Sequence, residues 1–189
     1  TTYAPTKGVP ELLDLLSEKV DKVNNIKTNS NEHIIATNGG SGALTLSFAS
    51  LFNPGDELIM CSPNFVSYIY IGAFFGVKII EIERNQDFSP NIERMKKAIT
   101  DKTKAIVINS PNNPTGYVMS KKEIEEIAEI VVENDLYLIS DEVYENYVYD
   151  GLEHISPASL NGMFERTVTV NAMSKLFSAT GFRLGYVVA

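Results

Sequence analysis

One cysteine, two histidines and no long apolar run set the first limits on this 189-residue chain. With Cys61 alone no internal disulfide can form, which fits a reducing compartment and makes the cytoplasm the expected location. His33 and His154 show no metal-ligand spacing, so neither is assigned a role and no metal is expected. No apolar run approaches the roughly 20 residues that span a bilayer, and Thr1 onward does not read as a signal peptide. Positive charge is scarce too. Sixteen Lys and Arg against 24 Asp and Glu leave a net charge of −8, which argues against nucleic acid or an anionic membrane as partner. Repeats, low-complexity tracts and long linkers are absent.

What is present is the composition of a globular domain, 44% apolar and 21% charged, long enough to bury a core without staples. The sequence opens on Thr1-Thr2-Tyr3 without Met. It stops on Tyr186-Val187-Val188-Ala189, which reads as the middle of a buried strand, so a fragment of a longer protein is expected.

Helical and strand-like stretches alternate. Leu12, Leu13, Leu16 and Val20 give residues 10–23 a helical face, with Pro10 suited to the first turn. The spacing predicts further helices over 41–51, 65–75, 90–99 and 120–134. In the last, Ser120 and Glu123 form a capping box ahead of an Ile124, Ile127, Ile130 and Val131 stripe. Short apolar runs predict strands at His33–Ala36, Glu57–Cys61, Val77–Ile82, Ala105–Asn109, Tyr137–Ile139, Thr167–Val170 and Gly185–Val188. This order implies a three-layer α/β/α domain around a mostly parallel sheet of about seven strands. Ligands of such sheets bind beyond the carboxyl ends of the strands.

The unusual residues follow those ends. Thr37-Asn38-Gly39-Gly40-Ser41-Gly42 leads into a helix and is either a phosphate cradle or a plain glycine-rich turn. Ser62-Pro63-Asn64-Phe65 and Ser110-Pro111-Asn112-Asn113-Pro114-Thr115-Gly116 are turn signals, yet Asn113 could also bond a ligand oxygen. Asp141 after an apolar strand needs a partner, either a salt bridge or a protonated ring nitrogen, while Glu142 could be a solvated rim residue. Lys175 and Arg183 lie eight apart among small and apolar residues. They are either snorkelling cations or a nucleophile and a phosphate fork. Tyr147 and Tyr149 read as packing or rim residues. Taken together, these groups suit one ligand with an aldehyde, a phosphate, a ring nitrogen and a flat face.

The motifs SPNNPTG (110–116), SDEVY (140–144) and SKLFSATGFRLG (174–185) resemble the class I/II aminotransferases of pyridoxal-phosphate fold type I, and the likeness runs from Tyr3 to Gly185. The resemblance implies pyridoxal 5'-phosphate as cofactor, with Lys175 forming its aldimine and moving the proton. It implies that Asp141 pairs with the ring nitrogen, that Tyr144 and Asn113 bond the ring oxygen, and that Phe65 stacks on the ring. Arg183, Gly39, Gly40 and Ser41 would hold the phosphate. Tyr3 matches a tyrosine that reaches the phosphate of a neighbouring subunit, which implies a homodimer. An amino acid and a 2-oxo acid would be the substrates. Residues 1–189 would then be the cofactor-binding large domain, without the small domain and N-terminal arm, and so without the arginine for the substrate carboxylate.

Two positions depart from the family pattern. Ala172 stands where many relatives have serine, with Ser174 or Ser178 as the replacement. Phe65 stands where dicarboxylate-specific members often have Trp, which argues against aspartate as substrate. The same motifs also serve carbon–sulfur β-lyases, aminocyclopropane-carboxylate synthases and the ligand-sensing domains of some regulators.

Overall fold

The computed structural model describes residues 3–189. Helix α1 (Pro10–Asn24) and the single turn α2 (Ser30–His33) lead to β1 (Ile34–Asn38). Then follow α3 (Gly39–Leu51), β2 (Glu57–Ser62), α4 (Ser67–Phe75), β3 (Lys78–Glu83), α5 (Ile92–Ala98) and β4 (Thr103–Asn109). The chain continues through α6 (Lys121–Glu133), β5 (Tyr137–Asp141), β6 (Thr167–Ala172), α7 (Met173–Leu176) and β7 (Leu184–Val188). Seven strands form one sheet in the order β1-β7-β6-β5-β4-β2-β3. Every pairing is parallel except those of β7, which runs antiparallel to both β1 and β6.

The period-two rule explains the layers. In β2, Leu58 and Met60 face α3 and α4, while Ile59 and Cys61 face α5 and α6. Leu13, Leu16 and Val20 of α1 pack on Ile34, Tyr186 and Val188 at the other end of the sheet. The capping box of α6 forms as the sequence predicts: Ser120 Oγ accepts from Glu123 N, and the Glu123 carboxylate accepts from Ser120 N at 2.7 Å.

Several element boundaries differ from the sequence expectation. His33 closes the helical turn Ser30–His33 rather than opening the strand, which starts at Ile34; the Asn29 side chain accepts from Asn31 N and caps that turn. Helix α3 starts at Gly39, so Gly39 and Gly40 are its first turn and not a loop before it. Strands β5 and β6 run on to Asp141 and Ala172, which places the acid on the sheet itself.

Glu142 is not a rim residue. It is fully buried on the side of the sheet away from Asp141. Its carboxylate accepts from Ser140 Oγ (2.9 Å), Ser156 Oγ (2.6 Å) and Asn24 Nδ2 (3.2 Å), and lies 3.0 Å from His154 Nε2. Asn24 Nδ2 also donates to buried Glu145 (2.8 Å), which pairs with Lys19. These bonds tie α1 to the segment that follows β5. His154, assigned no role from sequence, is part of this anchor. The three acidic and imidazole groups come within 4.8 Å of one another, but side-chain donors already surround them.

Gly185 of β7 faces the first turn of α3. A Cβ here would lie 2.4 Å from Gly39 C and 2.8 Å from Gly40 N, both backbone atoms that no rotamer change can move. Gly185→Ala is therefore expected to destabilise the chain by about 1–3 kcal/mol. Gly181→Ala, which opens onto free space, is expected to stay within about 0.5 kcal/mol. Urea unfolding of both variants beside wild type checks the contrast.

Candidate active site

A cavity of about 210 Å³ opens at the carboxyl edge of the parallel strands. Asn109, Asp141 and Ala172 reach it from the ends of β4, β5 and β6, and Gly40, Ser41 and Leu44 from α3. Phe65 comes from the turn after β2, and Asn113, Val143, Tyr144, Ser174, Lys175, Thr180 and Arg183 come from loops and α7. The fold thus gathers Gly40, Ser41, Phe65, Asn113, Asp141, Tyr144, Lys175 and Arg183, as the sequence predicts. Gly39 stands behind this wall, under Arg183, and Tyr3 is fully exposed away from it.

Asp141 is buried at one end. Its Oδ2 accepts from Tyr68 OH at 2.7 Å, and its Oδ1 lies 3.3 Å from Val143 N. Burial pushes the carboxyl up from 3.8 to about 6, the Tyr68 hydroxyl and the Val143 N–H pull it down, and Glu142 adds to the rise. Among the described residues no lysine or arginine forms an ion pair with it. The backbone around it is stapled by Asn109, whose Nδ2 donates to the Asp141 carbonyl (2.9 Å) and whose Oδ1 accepts from Asn113 N (2.7 Å). The SPNNPTG turn closes on itself through Asn112, which accepts from Thr115 Oγ1 at 2.8 Å.

At the other end, Arg183 has φ 51 and donates to the Thr180 carbonyl at 3.0 Å. Its guanidinium lies over Gly39 (φ +69), where a Cβ would come within 2.4 Å of Nη2. The N-cap of α3, Asn38, makes no side-chain capping bond, so the first-turn N–H groups point out beside Gly40, Ser41 and Arg183. Between the ends, Lys175 Nζ sits 5.6 Å above the Tyr144 ring centroid. Neither Lys175 nor Arg183 forms an ion pair among the described residues. Phe65, Leu44, Val143 and Ala172 are the apolar part of the wall.

Ser174, not Ser178, is on the wall beside Ala172; Ser178 turns away at φ 50. Sequence reasoning missed Tyr68, Asn109 and Thr180. Asn109 was readable as a polar residue ending an apolar strand; Tyr68 was hidden as one aromatic among several in α4. Tyr147, read as packing or rim, donates its hydroxyl to the Lys175 carbonyl.

All 189 residues match the family described as aminotransferase class I and II. The chain is 46% identical to an aspartate aminotransferase of Pyrococcus abyssi, covering 100% of this chain and 49% of that protein. It is 45% identical to an aspartate/prephenate aminotransferase of Thermus thermophilus, covering 98% and 48%. An aromatic aminotransferase structure from Pyrococcus horikoshii OT3 superposes with TM-score 0.97 at 45% identity, covering 100% of this chain and 51% of that one. The chain spans about half the length of the curated relatives it matches.

The position of Asp141 carries a stability cost that depends on pH. Its folded pKa lies above its unfolded value, so between about pH 4 and 6 the unfolded chain releases a proton that the folded chain keeps, and stability falls as pH rises. Asp141→Asn removes this titration. Relative to wild type, the variant is expected to gain about 2–3 kcal/mol from pH 4 to pH 7. Urea unfolding of the cofactor-free chains reads this directly; parallel pH curves would show that Asp141 carries no such cost.

Proposed function

The chain belongs to the class I and II aminotransferase family, and from that premise we propose that it is the pyridoxal-phosphate-binding large domain of an aminotransferase moving an amino group between an amino acid and a 2-oxo acid. Members of the family use pyridoxal 5'-phosphate. The observation that carries the reading is the pairing of opposite, unpartnered charges across one cavity. A buried carboxylate without a cation stands at one end, and an uncapped helix N-terminus with a free guanidinium stands at the other. The cofactor has a basic ring nitrogen and a phosphate, and it needs a lysine between them. The residues present fit it.

In this reading Arg183, Ser41 and the first turn of α3 hold the phosphate. Gly39 and Gly185 lack side chains there because Arg183 and the α3 backbone occupy that space. Asp141 would pair with the ring nitrogen and keep it protonated, and Tyr68 holds the carboxylate in place. Tyr144 and Asn113, on the cavity wall, would donate to the ring oxygen, and Phe65 would cover one face of the ring. Lys175 would hold the cofactor through Nζ and would be the base at the substrate α-proton. When bound, the cofactor supplies the electron sink for charge at that carbon. The relatives' names range over aspartate, prephenate and aromatic substrates, so the family likeness supports the reaction and not one choice of side chain.

We also propose a homodimer. Helices α3 and α4 carry no charged residue, and Leu46, Val66, Tyr70 and Phe74 lie exposed along them. On the opposite face, α6 is rich in Lys and Glu. A second copy would cover the apolar face.

Borohydride reduction after addition of pyridoxal phosphate is expected to fix the cofactor on wild type and not on Lys175→Ala. No fixation on either would overturn the assignment of Lys175. With an amino acid as substrate, the full-length protein is expected to yield a keto acid and pyridoxamine phosphate, whereas ammonia and thiol would mark a lyase. Phe74→Glu is expected to shift the sedimentation coefficient from dimer to monomer; a dimer unchanged by that charge would place the interface elsewhere.

A further inference from the structure

Tyr147 stands outside the cavity wall but touches two residues on it. Its ring packs edge-on against Tyr144, with centroids 5.8 Å apart and planes at 79°. Its hydroxyl donates to the Lys175 main-chain carbonyl at 2.8 Å. Lys175 rides on α7, a single turn of four residues, and the left-handed Ser178 lies two residues beyond its end. The other bonds near this turn are internal: Phe177 N to Met173 O, Ser178 N to Lys175 O and Ala179 N to Ser174 O. The Tyr147 hydroxyl instead ties the turn to the segment after β5, 28 residues earlier in the chain. That segment also presents Tyr144 to the cavity, directly after Asp141 at the end of β5.

We propose that Tyr147 is a positioning residue that fixes Lys175 relative to Tyr144, clamping the lysine's carbonyl with its hydroxyl while bracing the Tyr144 ring with its own. The inference rests on the reading that Lys175 carries the cofactor. A lysine side chain is long and flexible, so the placement of its backbone decides how often Nζ is poised over its target. A one-turn helix held only by its own bonds would let that backbone drift. The clamp removes the drift at one atom and takes its reference from the neighbouring aromatic ring, so the nucleophile and the phenol keep one spacing.

Tyr147 is 40% exposed and belongs to no core cluster, so Tyr147→Phe deletes the clamp, keeps the brace and leaves the fold intact. Tyr147→Leu deletes both. The test uses the full-length protein stripped of cofactor, with free pyridoxal phosphate as the probe. Three quantities are read: the rate of covalent attachment, the pH midpoint of the visible band of the attached cofactor, and the thermal unfolding midpoint. Attachment is expected to slow about threefold to tenfold in Tyr147→Phe and further in Tyr147→Leu. The pH midpoint is expected to move with it, while the unfolding midpoint of Tyr147→Phe stays within about 2 °C. A Tyr147→Phe protein that matches wild type in attachment rate and pH midpoint overturns the positioning role, whatever its unfolding temperature. A wild type that takes up no cofactor on Lys175 overturns the reading beneath it instead, and the two failures are distinct.

Discussion

A carboxylate buried without a counter-charge is the constraint on which this site depends. Asp141 ends β5 inside the sheet, where burial raises its pKa to about 6. Such a group is tolerable only if the surroundings hold it rigidly and a cation later completes it. The neighbours show how the first condition is met. Tyr68 reaches over from α4 to one oxygen, and Asn109 grips the carbonyl from the next strand while holding Asn113. In the proposed reading, the second condition would be met by the cofactor's protonated ring nitrogen.

The rear of the same segment is fixed by charge of a different kind. Glu142 and Glu145 point away from the cavity, and α1 supplies Asn24 and Lys19 to them. Here every acid has donors, and removing one would strand the others in the interior, at a cost of several kcal/mol. One face of the segment is therefore satisfied and stiff, and the other is unsatisfied and receptive. Alternation along the chain puts Asp141 and Glu142 on opposite sides, so two adjacent acids have opposite duties.

The sheet and most of the cavity were legible from sequence because both follow local rules. Apolar runs such as Glu57–Cys61 mark strands buried on two faces, and Ser120 with Glu123 marks a helix start. The site residues were readable because sheets of this kind bind ligands at the strand ends, where the motifs fall. What escaped depends on partners far apart in the chain. Tyr68 meets Asp141 across 73 residues, and Asn24 meets Glu142 across 118. No periodicity encodes such pairs. Tyr147 escaped because exposure hid a hydroxyl bound to a carbonyl. The boundaries at Gly39 and Ser30 shifted because helix starts answer to caps and crowding, and apolar spacing does not report them.

Strand β7 lies between β1 and β6, antiparallel to both. Ile34 pairs with Val188, so about 150 further residues must be made before β1 has this partner. During synthesis the first five strands after β1 can pair among themselves, while β1 waits as an open edge. The arrival of β7 brings Gly185 against Gly39 and carries Arg183 to the start of α3. The Arg183 end of the cavity thus forms in the same event that closes the sheet. In the proposed reading, cofactor capture would report that this sheet has closed.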